Sequence, residues 1–320
     1  MQLSRNKEYS NREADERASN FEIDPADIFW LDFYCSFFSF AGLLFISAAG
    51  AGEPLHRDLQ PLPRRARQPR CGIFSTFGTQ RDGNDFHAFW TEFEYGATAW
   101  WTTELYLDGQ TTFNESTVFT GFRLENRFRL LQREHLINPV LYVEYEQITG
   151  ADKILKEIEG HDGESDLADS NAALRKEHKH ELEFKLLLSS NFKGWNVAVN
   201  PIVTKNLLPS EPWEFAYAIG TSRPLMLKAS PNRCNFCLEN FVAGVEMYGG
   251  LGDVQSAGLH DTSHYLAPTV AWNLPSDWTL HLSSGFGLNQ NSHRLLLRWG
   301  ISHEFSGFGE AVRRLFGGQP

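Results

Sequence analysis

The chain lacks a basic face. Its 320 residues carry 29 Lys and Arg against 40 Asp and Glu, a formal net charge of -11. Phosphate neutralisation needs the opposite balance, so no nucleic-acid partner is expected. Long apolar runs are nearly missing too. A helical membrane protein would show several spans of about twenty apolar residues, yet one candidate stretch occurs here and mean hydropathy is slightly negative. No phosphate-binding loop, Rossmann fingerprint, P-loop or HExxH is present. No cofactor and no metal centre is therefore expected. Cysteine is scarce, with four residues. Cys234 and Cys237 form a CxxC in NRCNFCLEN; zinc would need two more ligands at finger spacing, and none is there. In an oxidising compartment the CxxC reads as a local disulfide.

The single apolar stretch begins at Ile28 and tightens from Phe37 to Ser47. Ala49 and Ala51 then offer the A-x-A spacing that a signal peptidase accepts. Asp27 and Asp32 stand where Lys or Arg would be usual, which keeps an uncleaved membrane anchor as the alternative. We read residues 1–51 as an N-terminal extension with a signal peptide. Residues 52–70, rich in Pro and Arg, read as a periplasmic leader.

What the rest of the chain has in abundance is alternation. Segments at roughly 86–95, 99–108, 117–130, 139–148, 178–190, 195–204, 213–221, 240–249, 265–273, 278–288 and 294–305 follow an alternating apolar and polar pattern. Most approach the 9–11 residues of a tilted membrane strand, whereas soluble strands run nearer five or six. In RLLLRWGISHEF, Leu295, Leu297, Trp299 and Ile301 share one face while Arg294, Arg298 and Glu304 share the other. Trp and Tyr recur near segment ends, as interfacial girdles would require.

Connection lengths give an independent test. With both barrel termini periplasmic, the outer connections are 109–116, 149–177, 205–212, 250–264 and 289–293. The inner ones are 96–98, 131–138, 191–194, 222–239 and 274–277. Short inner turns and longer outer loops are the usual asymmetry, and 222–239 is the exception. Parity demands one further strand, which CGIFSTFGTQ at 71–80 supplies, joined through Asp82-Gly83, a tight-hairpin signal. The expected fold is all-β: an antiparallel up-and-down transmembrane β-barrel of about twelve strands, occupying 71–305, with 306–320 as a C-terminal tail.

Alternation turns the charges inward. The lumen-lining candidates are Glu92, Glu94, Glu104, Arg123, Glu125, Arg127, Arg129, Glu144, Glu146, Glu183, Arg294 and Arg298. The Arg-rich segment would lie between two acidic ones. Such an interior serves either a conduit whose charges bias the passing solutes or a salt-bridged plug. Two histidine groups read more plainly. HDTSH at 260–264 offers a metal or lipid A deacylase site but reads as a solvated loop, and His178 and His180, which could bind metal, read as interfacial.

HLSSG, His281 to Gly285, resembles the HxSNG of outer-membrane phospholipase A. That resemblance would make His281 a base and Ser283 a nucleophile, with Asn289 or Asn291 as the third member. Ser284 replaces the motif's Asn, and the alternation turns His281 and Ser283 to the lumen. The closing stretch YLAPTVAWNLPSDWTLHLSSGFGLNQNSHRLLLRWGISHEF resembles the C-terminal hairpins of Gram-negative outer-membrane β-barrels, including transporter barrels named after phenol-degradation pathways. The resemblance implies the cell outer membrane, contact with its lipid, and recognition of the final strand ending at Phe305 by the barrel-assembly machinery. It also implies a passive channel for small solutes, with a membrane lipid hydrolase or a non-conducting, partner-binding barrel as alternatives.

Overall fold

Residues 68–81, 83–154, 170–207, 211–228, 234–259 and 261–305 are described by the computed structural model. The alternating segments become twelve antiparallel strands. They are β1 (Pro69–Thr79), β2 (Phe86–Gly96), β3 (Trp101–Thr112), β4 (Thr117–Arg129), β5 (Asn138–Thr149) and β6 (His178–Phe192), then β7 (Trp195–Asn206), β8 (Trp213–Pro224), β9 (Phe241–Asp253), β10 (His264–Asn273), β11 (Trp278–Gly287) and β12 (Leu295–Glu304). Each pairs with its chain neighbours, and β1 pairs with β12 to close the barrel. Every strand edge is thereby satisfied, which hydrocarbon demands of any spanning sheet.

The boundary expected at Cys71 moves to Pro69, because Pro69 and Arg70 already pair with Tyr95 and Glu94. Arg70 faces inward and is buried, donating to Ser302. The segments expected as signal peptide, most of the leader and C-terminal tail lie outside the described residues.

The outward face is apolar and bare. Leu282 and Trp299 sit opposite each other in the β11–β12 register and are 50% and 45% exposed. Leu124, Leu141, Leu186, Ile219, Met247 and Leu266 continue that belt around the wall. A water-soluble protein does not leave so many large side chains open; in a bilayer they meet lipid. Aromatic contacts flank the belt at both ends. Trp101 stacks on Phe128 and Phe241 on Trp272, and Trp278 packs tilted against His303, at the end that carries the barrel termini. Phe122 with Tyr145 and Phe184 with Trp213 lie toward the other end. The wall is a closed barrel whose apolar belt is bordered by rings at each end, as a bilayer interface requires.

Two local devices set the geometry. Lys193 and Gly194, both with positive φ, make the two-residue turn between β6 and β7, matched to the twist of the hairpin. In β4 the register shifts against Asp108/Gly109. Gly121 sits at this bulge, where a Cβ would come within 2.1 Å of the Gln147 carbonyl oxygen. The extra residue changes parity. Val118 and Thr120 face in above it, and Arg123, Glu125 and Arg127 face in below it.

The long inner connection between β8 and β9 did not signal a wrong strand count. Cys234 and Cys237 are disulfide-bonded there, and a 3-10 turn at Leu238–Asn240 follows. The Phe236 ring lies 4.7 Å from Trp272, whose Nε1 donates to the Asn235 carbonyl at 2.8 Å. The connection is a stapled flap seated on the rim of β10.

Candidate functional site

Charge enters the lumen because alternate residues of β2 to β6 must point away from lipid. Cross-strand register then stacks them. Glu94 opposes Glu104, Glu104 opposes Glu125, Glu125 opposes Glu144, and Glu144 opposes Glu183. Five strands thus present five carboxylates in one continuous row. Like charges directly opposite destabilise a sheet, so cations must intervene.

They come from the adjacent rows. Arg123 donates through Nε and Nη2 to the two oxygens of Asp108 at 3.1 and 3.0 Å and lies 3.7 Å from Glu144. Arg127 lies 3.7 Å from Glu104 and pairs with Glu125. Lys185 sits 2.8 Å from Glu183. Two tyrosines brace these pairs. The Tyr106 hydroxyl bridges Glu104 and Glu125, 2.6 Å from each, while Arg123 lies 4.2 Å over its ring. Lys185 lies 4.4 Å over Tyr142. The expected sandwiching of the Arg-rich strand between acidic strands is what the structure shows. Among the described residues the inward positions of β2 to β6 hold nine carboxylates against five cations, so this wall stays electronegative.

A cavity of about 150 Å³ opens between this wall and the one opposite. Glu92, Glu125, Glu144, Glu146 and Glu183 line one side; Thr269, His281, Ser283 and Arg298 line the other. Arg129 completes the inward set at the end of β4. Arg294 requires a correction. The strand starts at Leu295, so Arg294 falls in the preceding turn, exposed at the mouth, with Nη2 donating to the Arg81 carbonyl at 3.4 Å.

The connection between β5 and β6, expected as an external acidic loop, sends its described first residues back into the barrel. Ala151, Asp152 and Lys153 are buried. Thr120 Oγ1 donates to Asp152 Oδ2 at 2.6 Å. Gln110 is fully used here: its Nε2 donates to the Ala151 carbonyl at 2.9 Å and its Oε1 accepts from the Lys153 amide at 3.0 Å. Ile154 packs against the buried cluster that holds Phe86, Tyr265 and Leu296, so the segment reaches from the β3–β4 wall to the β10–β12 wall. On the returning side a short helix, α1 (Asn171–Leu174), is held by Asn171, which donates from its amide to Glu115 at 2.7 Å and accepts from Thr112 at 2.9 Å. The mouth is narrowed by the chain itself.

His293 secures the far side of that insertion. It is buried against the rings of Phe86 and Tyr265, and its Nε2 donates to the Lys153 carbonyl at 3.4 Å. Burial pulls its imidazole down to about 4; the Lys153 carbonyl resists this, and the charges of Lys153 and Arg298 add to it.

His281 and Ser283 both face the lumen, as their parity required. Ser283 Oγ has no hydrogen-bond partner, so no base reaches it, and Arg70 Nη2 lies 3.5 Å from His281 Nε2. The solvated loop expected at 260–264 is corrected: Thr262, Ser263 and His264 are buried, and His264 opens β10 with its ring 3.0 Å from the Leu259 carbonyl and 3.1 Å from the Tyr217 hydroxyl of β8. His180 bonds Tyr145 at 2.7 Å on the outer face, where an interfacial residue belongs. Sequence reasoning missed Tyr106, Gln110, Thr120 and Tyr142. Tyr106, Gln110 and Tyr142 occupy inward positions that alternation alone could have flagged, whereas Thr120 lies beyond the β4 bulge, where the parity has changed. Asp152, Lys153 and Asn171 carried no such signal, because nothing periodic marks a loop that turns inward.

No protein-family model matches this chain, and no curated protein matches it in sequence. Among solved structures it is similar to the KdgM porin, at 8% identity and a TM-score of 0.45, covering 73% of this chain and 99% of that one. It is similar to the NanC porin at 8% identity and a TM-score of 0.46, covering 74% and 98%. A third likeness is to the COG4313 outer membrane channel from Pseudomonas putida F1, at 10% identity and a TM-score of 0.46, covering 77% and 98%. These are likenesses of barrel outline.

Proposed function

We propose that this chain is a passive channel for small solutes. The reading rests on one observation above the others: a polar, charged lumen with a cavity between its walls, enclosed by a belt that meets lipid. A barrel that served only as a scaffold would gain more from apolar packing, since replacing buried ion pairs by hydrophobic residues is often neutral or stabilising. A wet path gives the charges their use. The inserted 150–154 segment sets the width, and the excess of carboxylate on β2 to β6 favours cations over anions of equal size.

The hydrolase alternative loses its footing on Ser283, whose oxygen has no partner and faces the lumen instead of lipid. The test is conductance of the purified full chain in planar bilayers under a salt gradient. Discrete conductance steps with a cation-selective reversal potential are expected. A folded, heat-modifiable protein that never conducts would remove the channel reading.

A further inference from the structure

The cavity has two unlike walls, and each leaves atoms unmet. On the acidic wall, oxygens of Glu144, Glu146 and Glu183 all lie within 4.8 Å of one another. Arg123 reaches the Oε1 atom of Glu144, and Glu144 Oε2 accepts no hydrogen bond although the residue is 1% exposed. On the opposite wall, Thr269 and Ser283 face each other in the β10–β11 register. Thr269 is 4% exposed, and the hydroxyl oxygens of both residues have no partner. A buried hydroxyl left unbonded is costly, and this one opens on the same cavity as the acidic triad.

The spacing of the triad selects among cations. An ammonium donates three bonds of roughly 2.8 Å at tetrahedral angles, which sets its acceptors roughly 4.6 Å apart. Three oxygens within 4.8 Å match that tripod. A hard divalent ion instead takes six to eight oxygens, and here Lys185 and Arg123 already hold Glu183 and Glu144. The Lys185 ammonium between Glu183 and the Tyr142 ring shows that this wall already accommodates such a group. The other wall is different. Arg298 opposes Ser283 in the register, so a second positive charge is repelled there, while a hydroxyl can both give and accept.

We propose that the lumen binds small amino alcohols. Their ammonium sits on the Glu144, Glu146 and Glu183 oxygens, and their hydroxyl meets Thr269 and Ser283. This deepens the channel reading by naming a solute class, and binding does not depend on conduction.

Calorimetry on the detergent-purified full chain, first shown folded by heat-modifiable migration, would use 4-amino-1-butanol as probe and 1,4-butanediol as its uncharged counterpart. The amino alcohol should bind at least tenfold more tightly than the diol. Glu144→Gln should erase most of that preference without altering the migration. Thr269→Val should weaken the amino alcohol a few-fold, because the variant keeps the shape and removes the hydroxyl. Binding in detergent without conductance in bilayers would uphold the site and remove the channel. Equal affinity for the two probes in a folded barrel, or a response to magnesium but not to the amine, would overturn the site and leave the channel standing.

Discussion

Thr120 donates to Asp152 across 2.6 Å, and through that bond a loop joining β5 and β6 is tied to the inner wall of β4. Asp152 also accepts from the Ile154 amide at 3.0 Å, so one carboxylate both shapes the inserted turn and anchors it. A hydrogen bond to a charged group contributes about 1.5–3 kcal/mol. Asp152→Ala should therefore loosen 150–154 and widen the mouth. Hydrogen exchange of those amides should quicken at least tenfold and single-channel conductance should rise; unchanged exchange would refute the tie.

Acid should loosen the same insertion from its other end. The buried His293 imidazole is held down to about 4, below the ordinary value near 6.5. A group whose folded value is depressed contributes stability that is complete above the ordinary value and is lost as pH falls toward the folded one. Between pH 6.5 and 4 the local cost approaches roughly 3 kcal/mol. Protease sensitivity of the inserted segment should climb across that window in the wild type. In His293→Phe, which keeps the ring against Phe86 and Tyr265, the dependence should flatten.

Arg127 separates two carboxylates that the β3–β4 register places directly opposite, Glu104 and Glu125. Arg127→Met leaves them facing each other, and breaking a buried pair costs about 3–5 kcal/mol. The urea midpoint of barrel unfolding should drop accordingly, while Arg127→Lys should keep most of it. A midpoint unchanged in Arg127→Met would show the row to be solvated throughout.

The assignment of faces can be tested along a single strand. Leu282 points to lipid and its neighbours along the strand point inward. Leu282→Arg should cost about 2–4 kcal/mol in a bilayer, whereas Thr279→Arg, on the inward face, should cost less than about 1 kcal/mol. Reversal of that order in refolding titrations would invert the barrel.

The disulfide flap should be separable from the barrel. Phe236→Ala removes the ring seated on Trp272, a contact contributing about 0.5–1.5 kcal/mol. Limited proteolysis within 225–240 should accelerate, with the heat-modification temperature of the barrel unmoved.

How much of this was legible beforehand can be judged from single strands. In β11, Trp278, Leu280 and Leu282 alternate with Thr279, His281 and Ser283, and lipid and lumen sort them without further information. The strand count followed from parity, and Cys234 with Cys237 from spacing. The bulge at Gly121 was not readable: 118 and 120 face inward along with 123 and 125, and no periodic rule announces where parity changes. Arg294 fits the inward parity of its neighbours, yet it lies in a turn, because the strand begins one residue later.

Period-two alternation over membrane-length segments, with turns of unequal length between them, by itself determined the all-β barrel, its twelve strands and, outside the bulged end of β4, the sign of each face. Alternation is local, and a strand's two faces are set by its own backbone. Register and folded-in loops are not local. Which carboxylate opposes which, that Arg123 and Arg127 intervene, and that Asp152, Lys153 and Ile154 cross the lumen to reach Tyr265 and Leu296 depend on pairing between residues up to 140 or more positions apart. Only the closed tertiary structure decides those contacts.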